Sequence, residues 1–159
     1  TLWHTLSLHD ALPIWLFLGD KDITDQIRTP DITMLSSAVS AKPAVRGFLL
    51  DIQRQMGKNK GAVFEGRDMG TVVFPDADVK FFLNASPEIR AARRYKEVEG
   101  VTGQSLAEVE RDLRIRDQND SSRTLAPLKP APDAVRIDST ALSPEAVVDT
   151  MMAHIQTRL

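Results

Sequence analysis

The sequence predicts an α/β fold in which a parallel sheet is flanked by helices. Short apolar stretches typical of strands alternate along the chain with longer amphipathic stretches typical of helices. The strand-like stretches are apolar at consecutive positions, so neither face of the sheet is expected to contact water. A chain of 159 residues that is 42% hydrophobic is long enough to form one core. Together these features are typical of a parallel sheet covered by helices.

The clearest predicted helix runs from Pro43 to Gly57. Proline fits the first turn of a helix, where its missing N–H is not needed, and glycine often ends one. Between these two residues, apolar side chains recur at i, i+3, i+4, i+7 and i+11 and therefore share one face. They are Val45, Phe48, Leu49, Ile52 and Met56.

Three short apolar stretches predict the strands: residues 62–65, 79–83 and 134–137. Three further helices are predicted from a capping serine followed by a proline, or by a glutamate at the third helical position. The capping pairs are Ser86 with Pro87, Ser105 with Glu108, and Ser143 with Pro144. The first of these helices is expected to extend to about residue 98. Strands and helices thus follow one another in alternation.

The composition excludes several classes of protein. No cysteine is present, and the three histidines, His4, His9 and His154, are not spaced as metal ligands, so we expect no protein-bound metal. A net charge of −2 argues against a broad nucleic-acid-binding surface. The longest apolar run, residues 11–18, falls short of the ~20 residues that cross a bilayer. We expect a cytoplasmic monomer without membrane or nucleic-acid partners.

The segment with the strongest chemical signal is Gly66–Thr71, which follows the first predicted strand. In open α/β sheets, ligands bind beyond the carboxyl ends of strands, so Arg67 and Asp68 are well placed to meet a polar small molecule. The alternative is a surface turn with a local ion pair. Gly61 and Gly66 have the spacing of a phosphate loop, but the Lys-Ser/Thr pair is absent, so no Walker A loop is predicted.

Arginines form two more candidate groups. Arg116, Asp120 and Arg123 are spaced i, i+4 and i+7, which places a carboxylate between two guanidinium groups on one helical face. Such a surface suits a phosphate or a sugar hydroxyl, although an exposed ion-pair ladder has the same pattern. Arg93 and Arg94, together with Arg90, lie on the helix that follows Ser86. Between Glu88 and Arg123 the acidic and basic residues are equal in number, which disfavours broad nucleic-acid binding.

Four stretches of the chain resemble the bacterial cytidylate kinases. In chain order they read DITDQIRTPDITMLSSAVSAKPAVRGFLLDIQRQ, EGRDMGTVVFPDADVKFFLNASPEIRAARR, RIRDQNDSSRTLAPL and DAVRIDSTALSPEAVV, and GRDMGTVVFPDA is the most diagnostic. The resemblance implies transfer of the γ-phosphoryl group of ATP, with Mg²⁺, to CMP or dCMP. It also implies a P-loop nucleoside monophosphate kinase fold with a monophosphate-binding insert and a mobile lid.

The resemblance also implies roles for individual residues. Ser37, Arg46 and Asp68 would line the cytosine site. A carboxylate such as Asp68 can accept from the cytosine amino group while the Arg46 guanidinium donates to the ring acceptors; uracil presents an oxygen in place of the amino group. Such a mismatch costs ~1–3 kcal/mol, enough for a tenfold to hundredfold preference.

The other implied roles concern the phosphates and the sugar. Arg67 would approach the monophosphate, Arg116 and Asp120 would meet the ribose, and Arg123 would close on the base or phosphate side. Near the lid, Arg93 and Arg94 would contact the ATP phosphates. Phosphoryl transfer needs mainly positioning and charge neutralisation, which arginines supply.

The resemblance covers residues 15–159, interpreted as a partial cytidylate kinase domain with part of the monophosphate-binding insert, the core and the lid. Residues 1–14 look unrelated, and our hypothesis is that they are artefactual, the translation of an adapter fused to the reading frame. The first strand and the glycine-rich phosphate loop of the family are not found. We therefore assign no catalytic residue and expect a chain that keeps the monophosphate pocket but is inactive. The alternatives are a non-catalytic nucleotide-binding module, an α/β interaction domain, and part of a related UMP or AMP kinase.

Overall fold

A computed structural model describes residues 16–24, 26–100 and 102–158. The chain divides into two units, residues 1–36 and 37–159. Within the described part of the first unit, strands β1 (Phe17–Leu18) and β2 (Lys21–Asp22) form an antiparallel hairpin. Gly19 adopts a φ of 59° in the tight turn between them, a conformation that glycine reaches without steric cost. The interpretation of residues 1–14 as an unrelated segment falls outside the described residues.

The second unit contains the predicted α/β arrangement. Strands β3 (Phe81–Asn84) and β4 (Val135–Asp138) are parallel, with Phe81 opposite Val135 and Asn84 opposite Asp138. Parallel strands need a long connection between them, and here the chain passes through two helices before it returns. The predicted fold class, a parallel sheet with flanking helices, is therefore confirmed.

Five α-helices accompany the strands in the described residues. Their bounds are α1 Pro30–Ser40, α2 Pro43–Gly57, α3 Pro87–Val98, α4 Leu106–Ser122 and α5 Pro144–Gln156. The boundary between the two units falls within α1. Among the described residues, none of these helices combines the length and the apolar character that a membrane span requires.

The three predicted serine caps are all present. The side chains of Ser86, Ser105 and Ser143 each accept a hydrogen bond from a backbone N–H of the first turn of their helix. At α4 the capping box is complete, because Glu108 also accepts from the backbone N–H of Ser105 at 2.8 Å. These ends are determined by neighbours in sequence, which explains why the sequence predicts them correctly.

The predicted strand at residues 62–65 is wrong. The segment has no ladder of hydrogen bonds, Val63 is 100% exposed, and Phe64 is anchored instead by its ring contact with Phe74 at 4.5 Å between centroids. An apolar run forms a strand only beside another strand, and none of the described strands pairs with this segment. The following residues form a wide helical turn, Met69–Val73, where the sequence predicted only turns.

Helix α2 has the predicted bounds, and most of its apolar stripe is exposed. Phe48 is 71% exposed, and Leu49, Ile52 and Met56 are exposed as well. Helices α3 and α4, in contrast, pack against each other and are joined by an ion pair between Arg90 and Asp117. The core of the second unit therefore lies around α3, α4 and the parallel strands.

Candidate functional site

Two buried carboxylates form the centre of the candidate site. Asp68, at the start of the wide helical turn, is 7% exposed, and Asp120, near the end of α4, is 2% exposed. A buried carboxylate is costly unless hydrogen bonds and opposite charges compensate for the lost water. The surroundings of these two groups therefore reveal what the site is built from.

Asp68 is paired with Arg46 of α2. One guanidinium nitrogen of Arg46, Nη2, donates to Oδ2 of Asp68, while Nη1 donates to the backbone carbonyl of Ser40 at 3.1 Å. The second bond orients the guanidinium, because two donors of a planar group are fixed at once. Asp68 is held by its backbone too, since its carbonyl accepts from the N–H of Val72 at 2.9 Å.

Asp120 is bonded by residues from two other segments. Ser37 donates from Oγ to Oδ1 at 2.8 Å, and Arg67 donates from Nε to Oδ2 at 3.3 Å. Arg67 and Asp68 are adjacent in sequence but have different partners, since Arg67 donates to the carboxylate of Asp120 whereas Asp68 accepts from the guanidinium of Arg46. The segment that the sequence singled out thus contributes to both halves of the site.

Arg123 lies between the two carboxylates. Its Nη1 is 3.6 Å from Oδ1 of Asp120, its Nη2 is 3.9 Å from Oδ1 of Asp68, and its side chain is 9% exposed. Helix α4 ends at Ser122, and the extended backbone of Arg123 turns the side chain back towards Asp120. The Nε of Arg123 donates to the carbonyl of Ala126 at 2.7 Å, which fixes the group in this position.

Arg116 completes the cluster through its charge, close to the carboxylate of Asp120. Its Nε is buried and, among the described residues, has no hydrogen-bond partner; the nearest carboxylate oxygen, Oδ2 of Asp120, is 3.8 Å away. Burial and the neighbouring charge of Arg67 lower the pKa of the Arg116 guanidinium. A buried N–H without an acceptor is unfavourable, so the arrangement favours an additional anion or hydroxyl at this point.

We call this set of residues the carboxylate–arginine cluster. It consists of Ser37, Arg46, Arg67, Asp68, Arg116, Asp120 and Arg123. All seven were singled out from the sequence or from its resemblance to a family, and the structure brings them together. Within the cluster, Ser37 bonds to Asp120, a contact that the sequence did not predict.

The two lid candidates are placed differently. Arg93 donates from Nη1 to Oγ of Ser139 at 3.0 Å and from Nη2 to the carbonyls of Ser139 and Leu142 at 2.6 and 3.3 Å. Arg94 donates to Glu97 at 2.9 Å, and its charge also acts on Arg116. Arg93 thus connects α3 to the segment after β4, and in the described part of the chain it forms no hydrogen bond with the carboxylate–arginine cluster.

Sequence reasoning missed two contributors to this region. The Ser40 carbonyl orients Arg46, and Arg54 of α2 donates to the carbonyls of Val72 and Val73 in the wide helical turn. A backbone acceptor leaves no trace in the sequence. Arg54 follows Arg46 by about two helical turns, so their shared side of α2 was the one available signal.

The chain is similar in sequence to known cytidylate kinases. The family model described as cytidylate kinase matches residues 4–157. The chain is 54% identical over 140 residues to the cytidylate kinase of Geobacter sulfurreducens, covering 87% of this chain and 60% of that protein. It is 48% identical over 143 residues to the cytidylate kinase of Fervidobacterium nodosum, covering 89% and 65% respectively. The chain thus spans between 60% and 65% of the length of these relatives.

Proposed function

The chain belongs to the cytidylate kinase family, and from this membership we propose that its carboxylate–arginine cluster binds CMP or dCMP for phosphoryl transfer from ATP. The observation that carries the proposal is the pairing of Arg46 with Asp68 beside a surplus of arginines. The Arg46–Asp68 pair would recognise the base, and the surplus of arginines would bind the phosphate.

The Arg46–Asp68 pair suits the hydrogen-bonding edge of cytosine. Arg46 donates its hydrogen bond to Oδ2 of Asp68. The other oxygen, Oδ1, lies 3.9 Å from Nη2 of Arg123 and, within the described part of the chain, has no donor at hydrogen-bond distance. Oδ1 is therefore an acceptor for the amino group of cytosine. Uracil would place a carbonyl oxygen against the same carboxylate, and two facing acceptors repel.

The charges of the cluster suit a monophosphate. Four guanidinium groups, those of Arg46, Arg67, Arg116 and Arg123, accompany two carboxylates, so two positive charges are not balanced within the cluster. A phosphate monoester carries nearly two negative charges at pH 7, because its second pKa is about 6. The Nε of Arg116, for which the described residues offer no hydrogen-bond acceptor, adds a donor for a phosphate or ribose oxygen.

In phosphoryl transfer from ATP, the residues of the carboxylate–arginine cluster would position CMP or dCMP, the molecule that receives the phosphoryl group. Guanidinium groups fixed by carboxylates hold the monophosphate in one orientation, and orientation is the main contribution a protein makes to phosphoryl transfer. ATP would supply the phosphoryl group with Mg²⁺. The described residues contain no group of three or more acidic or histidine side chains suited to a metal ion, and the sequence has no glycine-rich phosphate loop.

Calorimetric titration of the 159-residue chain tests the proposed pocket. We expect CMP to bind about tenfold to a hundredfold more tightly than UMP, the ratio that a buried mismatch of ~1–3 kcal/mol gives. The Arg46→Ala variant should lose most of this preference. Arg111→Ala is the matched control, since Arg111 is exposed and pairs with Asp112 on the outside of α4. Equal affinity for CMP, UMP and AMP would refute the cytosine assignment.

The second candidate is a nucleotide-binding chain without transfer activity of its own. The absence of the glycine-rich loop from these 159 residues favours it. A coupled assay with CMP and ATP separates the two candidates, because ordinary kinases turn over at roughly 1–100 s⁻¹. We expect this chain by itself to bind CMP but to stay far below that rate. Turnover within the ordinary range would instead assign complete catalytic machinery to it.

A further inference from the structure

Arg54 joins α2 to the backbone of the wide helical turn that starts after Asp68. Its Nη2 donates to the carbonyl of Val72 at 2.9 Å, and its Nε donates to the carbonyl of Val73 at 3.1 Å. The two donors come from one planar group, so the bonds fix the direction of the guanidinium as well as its distance. The contact is specific to two successive carbonyls at the end of the turn.

The turn itself has an uncommon backbone. The N–H groups of Val73 and Phe74 bond to the carbonyls five residues earlier, those of Asp68 and Met69, at 3.3 and 2.7 Å. Such single wide turns are rare in proteins and are frequent at functional sites. Because the helix stops after one turn, its last carbonyls have no following N–H groups to bond. The side chain of Arg54 donates to these carbonyls in place of backbone N–H groups.

Helix α2 therefore contacts both ends of this turn. At the start, Arg46 pairs with the carboxylate of Asp68, and at the end Arg54 bonds the carbonyls. Just beyond, Gly57 lies so close to Phe74 that a Cβ at this glycine would be 2.5 Å from the ring. The spacing between α2 and the turn is thus set at three points along the helix.

We propose that Arg54 is a positioning residue for Asp68. By donating hydrogen bonds to the carbonyls at the end of the wide turn, Arg54 stabilises the conformation of the turn. It thereby keeps the carboxylate of Asp68 oriented towards the base. This inference rests on the proposed role of Asp68 in cytosine recognition. A positioning role and a purely structural role of Arg54 have different measurable effects. A general loss of stability weakens the binding of all nucleotides alike, whereas a displaced Asp68 changes the ratio of CMP affinity to UMP affinity.

The test compares Arg54→Met and Arg54→Lys with the unmodified 159-residue chain. Two quantities are measured: the ratio of CMP to UMP affinity by calorimetry, and hydrogen exchange at the amides of residues 69–74 without ligand. Lys58→Met is the control. It removes a positive charge from the end of α2, and no hydrogen bond from Lys58 to the turn is found among the described residues.

We expect Arg54→Met to reduce the preference for CMP about tenfold, as is common for coupled neighbours, and to speed exchange in the turn. Arg54→Lys, which retains one donor, should give intermediate values, and Lys58→Met should match the unmodified chain. Unchanged exchange in both Arg54 variants would overturn the proposal, as would faster exchange with an unchanged CMP-to-UMP ratio. If the unmodified chain does not distinguish CMP from UMP, the proposed function fails, and exchange still decides whether Arg54 holds the turn.

Discussion

Ser37 donates a hydrogen bond of 2.8 Å from its hydroxyl to Oδ1 of Asp120, which is 83 residues further along the chain. This bond joins the last part of α1 to the end of α4, and both partners are buried. Asp120 also faces the guanidinium groups of Arg67, Arg116 and Arg123. Ser37 is thus the uncharged partner of Asp120, whose other partners are arginines. Its hydrogen bond fixes one oxygen of the carboxylate that orients these arginines.

Replacing Ser37 by alanine is expected to lower the free energy of unfolding by about 1–3 kcal/mol, because a buried carboxylate loses a donor. CMP affinity should fall as well, since Asp120 then holds its arginines less firmly. Urea denaturation and calorimetric titration measure the two effects. Ser36→Ala is the control, because the Ser36 hydroxyl bonds within its own helix to the carbonyl of Ile32 at 2.7 Å. A Ser37→Ala variant no less stable than Ser36→Ala would contradict the prediction.

Replacing Asp68 by asparagine is expected to shift the base preference from cytosine towards uracil. The amide has nearly the same shape as the carboxylate, but its NH₂ can donate to the uracil oxygen where the carboxylate could only repel it. We expect the CMP-to-UMP ratio to fall by about tenfold or more. The control is Asp78→Asn, an exposed carboxylate paired with Lys60 at 2.7 Å. If the ratio of the Asp68 variant stays at the unmodified value, another residue reads the base.

The sequence predicted the local parts of this structure better than the distant ones. The caps at Ser86, Ser105 and Ser143 depend on residues within one helical turn and were predicted correctly. The strand at residues 62–65 was predicted wrongly, because a strand needs a neighbour that an apolar run does not specify. Local patterns therefore fixed the helices, while pairing between segments had to come from the structure.

The candidate site follows the same division. The spacing of Arg116, Asp120 and Arg123 predicted a shared face, and the structure brings these three side chains together, even though α4 ends before Arg123. The same spacing could not distinguish a binding site from an exposed ladder. Burial of Asp120 and its bond to Ser37 argue against the ladder, and both depend on a segment far away in sequence.

The stability of α4 is expected to depend on pH through its capping box. Glu108 accepts hydrogen bonds from the N–H and the hydroxyl of Ser105, and these bonds lower the pKa of the Glu108 carboxyl. Because the pKa is lower in the folded state than in the unfolded state, the stabilisation is fully present above the unfolded-state value. It is lost as the pH falls through the folded-state value.

This dependence can be measured from the urea midpoint of unfolding between neutral and acidic pH. The Glu108→Gln variant should lose less stability on acidification than the unmodified chain, because its side chain does not titrate in this range. Glu65→Gln, at an exposed position in the extended segment, should retain the unmodified pH dependence. Parallel pH curves for Glu108→Gln and the unmodified chain would show that the capping carboxylate does not contribute.

Arg116 is expected to lower the stability of the ligand-free chain while it contributes to binding. Its buried Nε has no acceptor among the described residues, and burial and the charge of Arg67 lower the pKa of its guanidinium. Arg116→Met removes the unsatisfied donor and keeps an apolar side chain of similar length. Asp120 retains Ser37, Arg67 and Arg123 as partners. The free energy of unfolding without nucleotide should therefore stay the same or rise.

With CMP the same variant should show the opposite effect. Loss of a guanidinium that we propose meets the monophosphate or ribose is expected to weaken CMP binding by about tenfold or more, since charge-assisted bonds contribute roughly 1.5–3 kcal/mol. Urea unfolding with and without CMP, followed by titration with CMP and cytidine, separates the two effects. Arg114→Met is the control, because Arg114 forms an exposed pair with Glu110 at 2.6 Å on the same helix. A destabilised Arg116→Met chain with unchanged CMP affinity would identify Arg116 as a structural ion-pair partner of Asp120.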